Sequence, residues 1–314
     1  MKAPSLPAFA GRALLERLQK MAAEVRSVVE GDDVEALHRM RVASRRLRTG
    51  LRLFPDLFEG RQARRWRREI SALARSLGDG RNVDVQMESL EGFLAAAPPK
   101  LRPGPERLLL RLRQRRQALQ PTIAAEVGRF FGGPTPAAMT GAFRGLLERS
   151  LLEPSEEDLS GRAARSLLPL LAKLLSYENV VGTGDAEGLH GMRIAAKRLR
   201  HAAEIYGSHG IDGEALIDVT GEIQTLLGRI HDDDVWLAFL PRFIDEERSR
   251  TVAYYGHGRA FPRLLPGLTA FSESVAADRA ERIEAFRRRW AELDLRGFWA
   301  DSLARLQQAC EVRP

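Results

Sequence analysis

Apolar residues recur at three- and four-residue spacing through almost all of this 314-residue chain, and β-branched runs alternating with polar residues are missing. The pattern predicts an all-α protein without sheet. In the first half, helices are expected near 10–30, 33–54, 60–77, 81–96, 105–131 and 138–152. In the second they are expected near 160–178, 185–207, 212–228, 232–249 and 274–308, with a looser segment over 250–272. Ala97-Pro98-Pro99, Gly132-Gly133-Pro134 and Glu153-Pro154-Ser155 read as hinges between long helices. Asp33 and Asp185 are placed to cap helices, and Gly31 and Gly184 punctuate the turns before them.

The chain also repeats itself. Leu37 to Arg48 (LHRMRVASRRLR) is matched without a gap by Leu189 to Arg200 (LHGMRIAAKRLR). Leu77-Gly78 with Asp84-Val85 is matched by Leu227-Gly228 with Asp234-Val235, and Gly11-Arg12-Ala13 by Gly161-Arg162-Ala163. The repeat restarts after Glu153-Pro154-Ser155, which places a boundary between two halves there.

On a helix, His38, Arg41, Arg45, Arg48 and Arg52 fall within one stripe, while Met40, Ala43, Leu47, Leu51 and Phe54 form an adjacent apolar face. Such a helix can bury one side and present a wholly cationic other side. No acidic residue lies between positions 37 and 55, so the repulsion along the stripe is unrelieved within the helix. A polyanion would relieve it. The second copy keeps His190, Arg193, Lys197 and Arg200 on one face but has Glu204 where Arg52 stands. That end is therefore less cationic, or Glu204 pairs with Arg200. Two such helices, each burying its apolar face, would enclose a two-sided cationic cleft. Arg61, Arg64, Arg65 and Arg68 on one helix, and Arg107, Arg111 and Arg115 on another, are candidates to widen it, of which Arg64, Arg68, Arg111 and Arg115 are taken as ligand contacts. Arg46 and Arg198 repeat but lie off the stripe, as do Asp84 and Asp234, so each Arg is expected to pair with the Asp of its own half in a structural role.

Composition adds the sign and kind of charge. The net charge is +7, and only five of the 49 basic residues are Lys, so phosphate-gripping Arg predominates. The sequence offers neither a long apolar span nor a secretory leader, which points to a cytoplasmic protein that does not enter membranes. The single cysteine, Cys310, excludes an internal disulfide.

The duplicated pattern L-H-x-x-R-[VI]-x-x-[RK]-R-L-R, followed in each half by L-G and D-V, resembles the CHAD domain, the conserved histidine α-helical domain. The resemblance spans 8–305, composed of repeats 8–153 and 158–305. It implies two pseudo-symmetric helical bundles around a central basic channel that binds inorganic polyphosphate, with localisation of some members to polyphosphate granules. It makes His38 and His190 the namesake histidines, and Arg41, Arg45, Arg46, Arg48, Arg193, Lys197, Arg198 and Arg200 the basic positions. No catalytic residue, cofactor or metal is expected, because no strand-rich segment is present that could form the hydrolase domain fused to some relatives.

Two competing readings stand beside it. His231-Asp232-Asp233-Asp234 contains the His-Asp pair of HD-type metal-dependent phosphohydrolases, yet the first half offers Arg81-Asn82 where His231-Asp232 stand. Nonspecific nucleic-acid binding is the other, disfavoured because neither stripe carries an aromatic residue on which bases could stack. Trp66, flanked by arginines, falls away from the basic face and reads as core. The motif histidines are expected to donate hydrogen bonds to phosphate, their pKa depressed by neighbouring arginines until an anion arrives.

Overall fold

The computed structural model describes residues 5–152, 158–209 and 213–311, which hold α-helices and short 3-10 turns and no strand. The helices are α1 (Leu6–Ala23), α2 (Val25–Glu30), α3 (Val34–Leu53), α4 (Gly60–Ala96), α5 (Pro103–Phe131), α6 (Thr135–Leu152), α7 (Leu159–Leu175), α8 (Glu178–Thr183), α9 (Ala186–Tyr206), α10 (Gly213–Tyr255), α11 (Leu265–Leu295) and α12 (Phe298–Glu311). The hinge expected at Glu153-Pro154-Ser155 lies outside the described residues.

The short helices α2 and α8 each end on a glycine with positive φ, 74° at Gly31 and 67° at Gly184. Only glycine adopts that conformation without strain, and it turns the chain sharply into the next helix. That helix is then capped: Asp33 accepts from the Glu35 N–H at 2.8 Å, and Asp185 from the Gly188 N–H at 2.7 Å. The two histidine helices α3 and α9 thus start from the same local device, as their sequences predict.

Four predicted boundaries differ. The expected helices 60–77 and 81–96 are one helix, α4, because Gly78-Asp79-Gly80 serves packing and not a turn. A Cβ on Gly80 would stand 2.8 Å from Ile123 Cδ1 and 3.1 Å from Leu37 Cδ1, so the helix stays continuous with a glycine where α5 and α3 approach closely. Likewise 212–228 and 232–249 merge into α10, since Leu227, Ile230, Asp233 and Trp236 keep one face buried across the proposed gap. The expected helix 10–30 breaks at Glu24 into α1 and α2. The segment expected to be helical over 274–308 starts earlier, at Leu265, and breaks at Gly297, whose φ of 68° stops α11 before α12 begins.

Three apolar cores hold these helices. One is built mainly from α1, α3, α4, α5 and α6, around Leu14, Met40, Leu47 and Trp66, and it includes Ile205 and Tyr206 from α9. A second joins α7, α9, α10, α11 and α12 around Leu171, Met192, Leu199 and Phe286. The third is shared: Val83, Leu90 and Leu94 of α4 and Leu108 and Leu112 of α5 pack with Trp236, Leu240 and Phe243 of α10 and Leu268 and Phe271 of α11. At its edge, Gly267 lies so near the backbone that a Cβ there would be 2.0 Å from the Leu101 carbonyl oxygen. Trp66 is buried against Phe58 and Phe143, as expected for core.

Candidate functional site

Helix α3 packs on α4 and on α9, and α9 packs on α10. This arrangement brings basic residues from both histidine helices within electrostatic reach. The Arg41 pKa is lowered by desolvation, then by the charges of Arg193 and Arg81. Arg45 is pushed down to about 10, first by desolvation and then by Arg41, Arg46 and Arg193. Lys197 falls to about 8, again through desolvation first, followed by Arg193, Arg45, Arg41 and Arg48. Arg48 and Arg193 are lowered mainly by desolvation too. Arg52 lies nearer the surface, where desolvation and the charges of Arg198 and Arg67 lower it.

The repeated Leu-Gly pair lies directly beneath these guanidinium groups. A Cβ on Gly78 would lie 3.6 Å from Arg41 Nε, and one on Gly228 would lie 3.9 Å from Arg193 Nε. The bare backbones of α4 and α10 are the floors over which the two arginines extend. One step along, Arg48 donates to Ser71 Oγ at 3.0 Å, and Arg200 passes over Gly221, whose Cβ would stand 3.4 Å from its Cζ. Sequence reading found the repeated glycines without the arginines that lie over them.

Several buried polar atoms here find no hydrogen-bond partner among the described residues: Nε of Arg45, Arg48 and Arg193, which are donors, and Nδ1 of His38. Unmet buried polar groups are costly, about 1–3 kcal/mol each and more when charged, so native sites seldom keep them without a use. His38 is held below its ordinary pKa by desolvation first and then by Arg81, with Arg41 and Arg45 smaller contributors. The direction is the expected one, but burial and Arg81 lead it. His190 meets His231, Nδ1 to Nδ1 at 3.2 Å, and desolvation followed by Arg193 pushes His231 down to about 4.

Two carboxylates reach the stripes, one of them on α9 itself. Glu204 accepts from Arg200 Nε at 3.0 Å and from Arg46 Nε at 2.7 Å, so the pairing within α9 is real and a second one crosses to α3. Asp232 remains accessible, yet desolvation raises its pKa against the charges of Arg193, Arg282 and Arg41. Its neighbours are otherwise engaged. Asp233 accepts from Arg282 and Asp234 from Arg279, and no three His, Cys, Asp or Glu residues among those described gather as metal ligands.

The expected pairing of Arg46 with Asp84 and Arg198 with Asp234 is incorrect. Asp84 accepts from Arg116 Nε at 2.8 Å and Asp234 accepts from Arg279 Nε, so each repeated Asp ties a long helix to the helix after it. Helix α4 directs Asp84 towards α5, away from the Arg46 side of α3; Arg46 turns instead to Glu204, and Arg198 lies exposed near Arg52. Arg111 is also not an open cation, since it makes two hydrogen bonds to Glu247 of α10. Arg64, Arg68 and Arg115 are exposed, unlike the half-buried stripe. Sequence reading missed Ser71 and named His231, Asp232 and Arg81 only in weighing the metal-dependent alternative; the position of Arg81 opposite His231 in the repeat was the available signal for placing them beside the stripes.

The sequence profile of the CHAD domain matches residues 12–241. Two uncharacterized proteins of Mycobacterium tuberculosis, from strains CDC 1551 / Oshkosh and ATCC 25618 / H37Rv, are each 29% identical over 233 residues, covering 71% of this chain and 43% of their own length. The chain therefore spans less than half of these relatives. Among solved structures, the CHAD domain from the plant Ricinus communis is similar with a TM-score of 0.65 and 24% identity, over 92% of this chain and 93% of that one. PptA from Streptomyces chartreusis is similar with a TM-score of 0.59 and 16% identity, over 92% of this chain and 100% of that one. These likenesses agree with the all-α fold. No helix among the described residues is long and apolar enough to cross a membrane.

Proposed function

The chain belongs to the CHAD-domain family, and from that premise we propose that it binds inorganic polyphosphate along the α3 and α9 stripes and performs no chemistry on it. In this reading, 8–153 and 158–305 are pseudo-symmetric halves of one unit, 8–305, and the stripes line a basic channel between them. The carrying observation is the set of half-buried cations from both halves whose Nε donors lack acceptors. A polyanion supplies those acceptors and offsets the desolvation, and after it the repulsion, that lower Arg41, Arg45 and Lys197. Charge-assisted hydrogen bonds are the strong ones, and a chain with roughly one charge per phosphate engages several arginines together. Phosphate also favours protonated His38, which then donates. Arg41, Arg45, Arg48, Arg193 and Lys197 are the principal contacts; Arg52 and Arg200 flank them, and Glu204 weakens the second-half end. Recruitment to polyphosphate granules in the cytoplasm follows from such binding.

The test is calorimetric titration at fixed, moderate salt with long-chain polyphosphate and with orthophosphate. Arg45→Ala combined with Lys197→Ala should weaken long-chain binding at least tenfold and orthophosphate binding far less, since orthophosphate cannot span both helices. A double variant that keeps its helicity and binds long chains like the parent defeats the proposal. Competing duplex DNA at matched charge should displace little polyphosphate; full displacement would favour a nonspecific nucleic-acid binder.

A further inference from the structure

A second basic pocket lies at the far end of α10 and uses none of the stripe residues. It encloses about 630 Å³, the size of a small-molecule site, and its walls come from α5, the end of α10 and the turn before α11. Four arginines line it, Arg107, Arg111, Arg250 and Arg263, against one carboxylate, Glu247, which leaves an excess of positive charge.

Glu247 is only 1% exposed and organises three of the four. It accepts from Arg107 at 3.0 Å, from Arg111 Nε and Nη2 at 2.9 and 3.1 Å, and from Arg250 at 3.4 Å. Burial opposes its charge, but the hydrogen bond from Arg111 and the charges of Arg111 and Arg107 hold it below its ordinary pKa. The ionised Glu247 thus fixes a fan of guanidinium groups whose summed charge exceeds its own; the exposed Glu246 also accepts from Arg250 at 2.9 Å, and Arg263 lies exposed beside them.

The rim is aromatic. Tyr254 is 82% exposed and Tyr255 53% exposed, their rings meeting edge to face at 83° with centroids 4.8 Å apart. Tyr255 in turn lies nearly parallel to His257, at 14°. Two tyrosines left this open beside a cationic pocket offer a corner in which a planar ring can stack on one face and meet the edge of the other. Neither histidine-helix stripe has such a feature.

We propose that this pocket binds a nucleoside polyphosphate, with the phosphates on Arg107, Arg250 and Arg263 and the base stacked on Tyr254 and Tyr255. A phosphate chain alone would leave the tyrosines unused, and an uncharged aromatic would leave the arginines unused. A ligand carrying both groups uses the whole site.

Calorimetric titration with ATP, tripolyphosphate and adenosine at constant salt tests this. ATP should bind more tightly than either fragment. Tyr254→Ala, safe for folding because the side chain is exposed, should weaken ATP about tenfold and leave tripolyphosphate unchanged. Arg263→Gln should weaken ATP and leave adenosine unchanged. The Arg45→Ala, Lys197→Ala variant should still bind ATP through this pocket, which separates the result from the fate of the polyphosphate site. The proposal is overturned if ATP does not bind, if binding ignores Tyr254→Ala, if Tyr254→Ala weakens ATP and tripolyphosphate equally, or if the stripe variant abolishes ATP binding.

Discussion

Arg46 of α3 and Glu204 of α9, 158 residues apart, form an ion pair with Nε 2.7 Å from Oε2. Glu204 is 12% exposed and also holds Arg200, while the charges of Arg17 and Arg45 act with it. It is the counter-charge that lets two basic helices touch.

Glu204→Gln should therefore move stability and affinity in opposite directions. Losing a half-buried carboxylate that serves two arginines should cost roughly 1–3 kcal/mol, discounted for the solvent that reaches Arg46. Polyphosphate affinity should rise, because a negative charge leaves the stripe. Thermal unfolding and calorimetry check the two halves of this expectation, and a variant with reduced affinity contradicts the role given to Glu204.

Affinity should also fall as pH rises through about 8, the value to which desolvation, Arg193 and Arg45 bring Lys197. The depressed pKa means that the empty fold disfavours the ammonium, so its contribution to stability is present above the ordinary lysine value and is lost as pH falls towards 8. Bound polyanion reverses the preference and raises the pKa, so binding takes up protons near and above pH 8. Calorimetry in buffers of different ionisation enthalpy measures that uptake, and Lys197→Met should abolish it.

A double-mutant cycle distinguishes the pairings of Asp84. Asp84 and Arg116 are largely buried, so removing one partner should cost about 3 kcal/mol, and the cycle should show strong coupling. The corresponding cycle between Asp84 and Arg46 should show none.

Two glycines should respond to alanine in contrary ways. At Gly78 the new methyl would lie at ordinary contact distance, 3.6 Å from Arg41, so Gly78→Ala should be neutral or stabilise by up to about 1 kcal/mol through helix propensity. At Gly267 the methyl would be 2.0 Å from a backbone oxygen, and Gly267→Ala should destabilise by about 1–3 kcal/mol or more. Urea unfolding of both variants settles the comparison.

The sequence disclosed what local periodicity and repetition encode. Helical class, the caps at Asp33 and Asp185, and the cationic faces of α3 and α9 all follow from spacing within a single helix. Long-range choices did not follow. Gly80 resembles a breaker until Ile123 and Leu37 are known to press against it. Asp84 and Arg46 look like partners because both repeat, whereas the true partners Arg116 and Glu204 stand in other helices and match no shared motif. Arg111 resembles a ligand contact only while Glu247, far along the chain, is out of view.

The shared third core carries a consequence for biosynthesis. Leu90, Leu94, Leu108 and Leu112 are translated well before Trp236, Leu240 and Phe271, against which they are buried. At about 5–20 residues per second, the ribosome needs roughly 6–25 s to cover the gap from Leu112 to Trp236. Throughout that interval the apolar side chains of α4 and α5 lack the α10 and α11 partners against which they are buried, next to helices already rich in arginine. A ribosome that stalls in this window presents exposed apolar surface of the kind that promotes aggregation, so slow codons between these two stretches should lower the yield of folded protein.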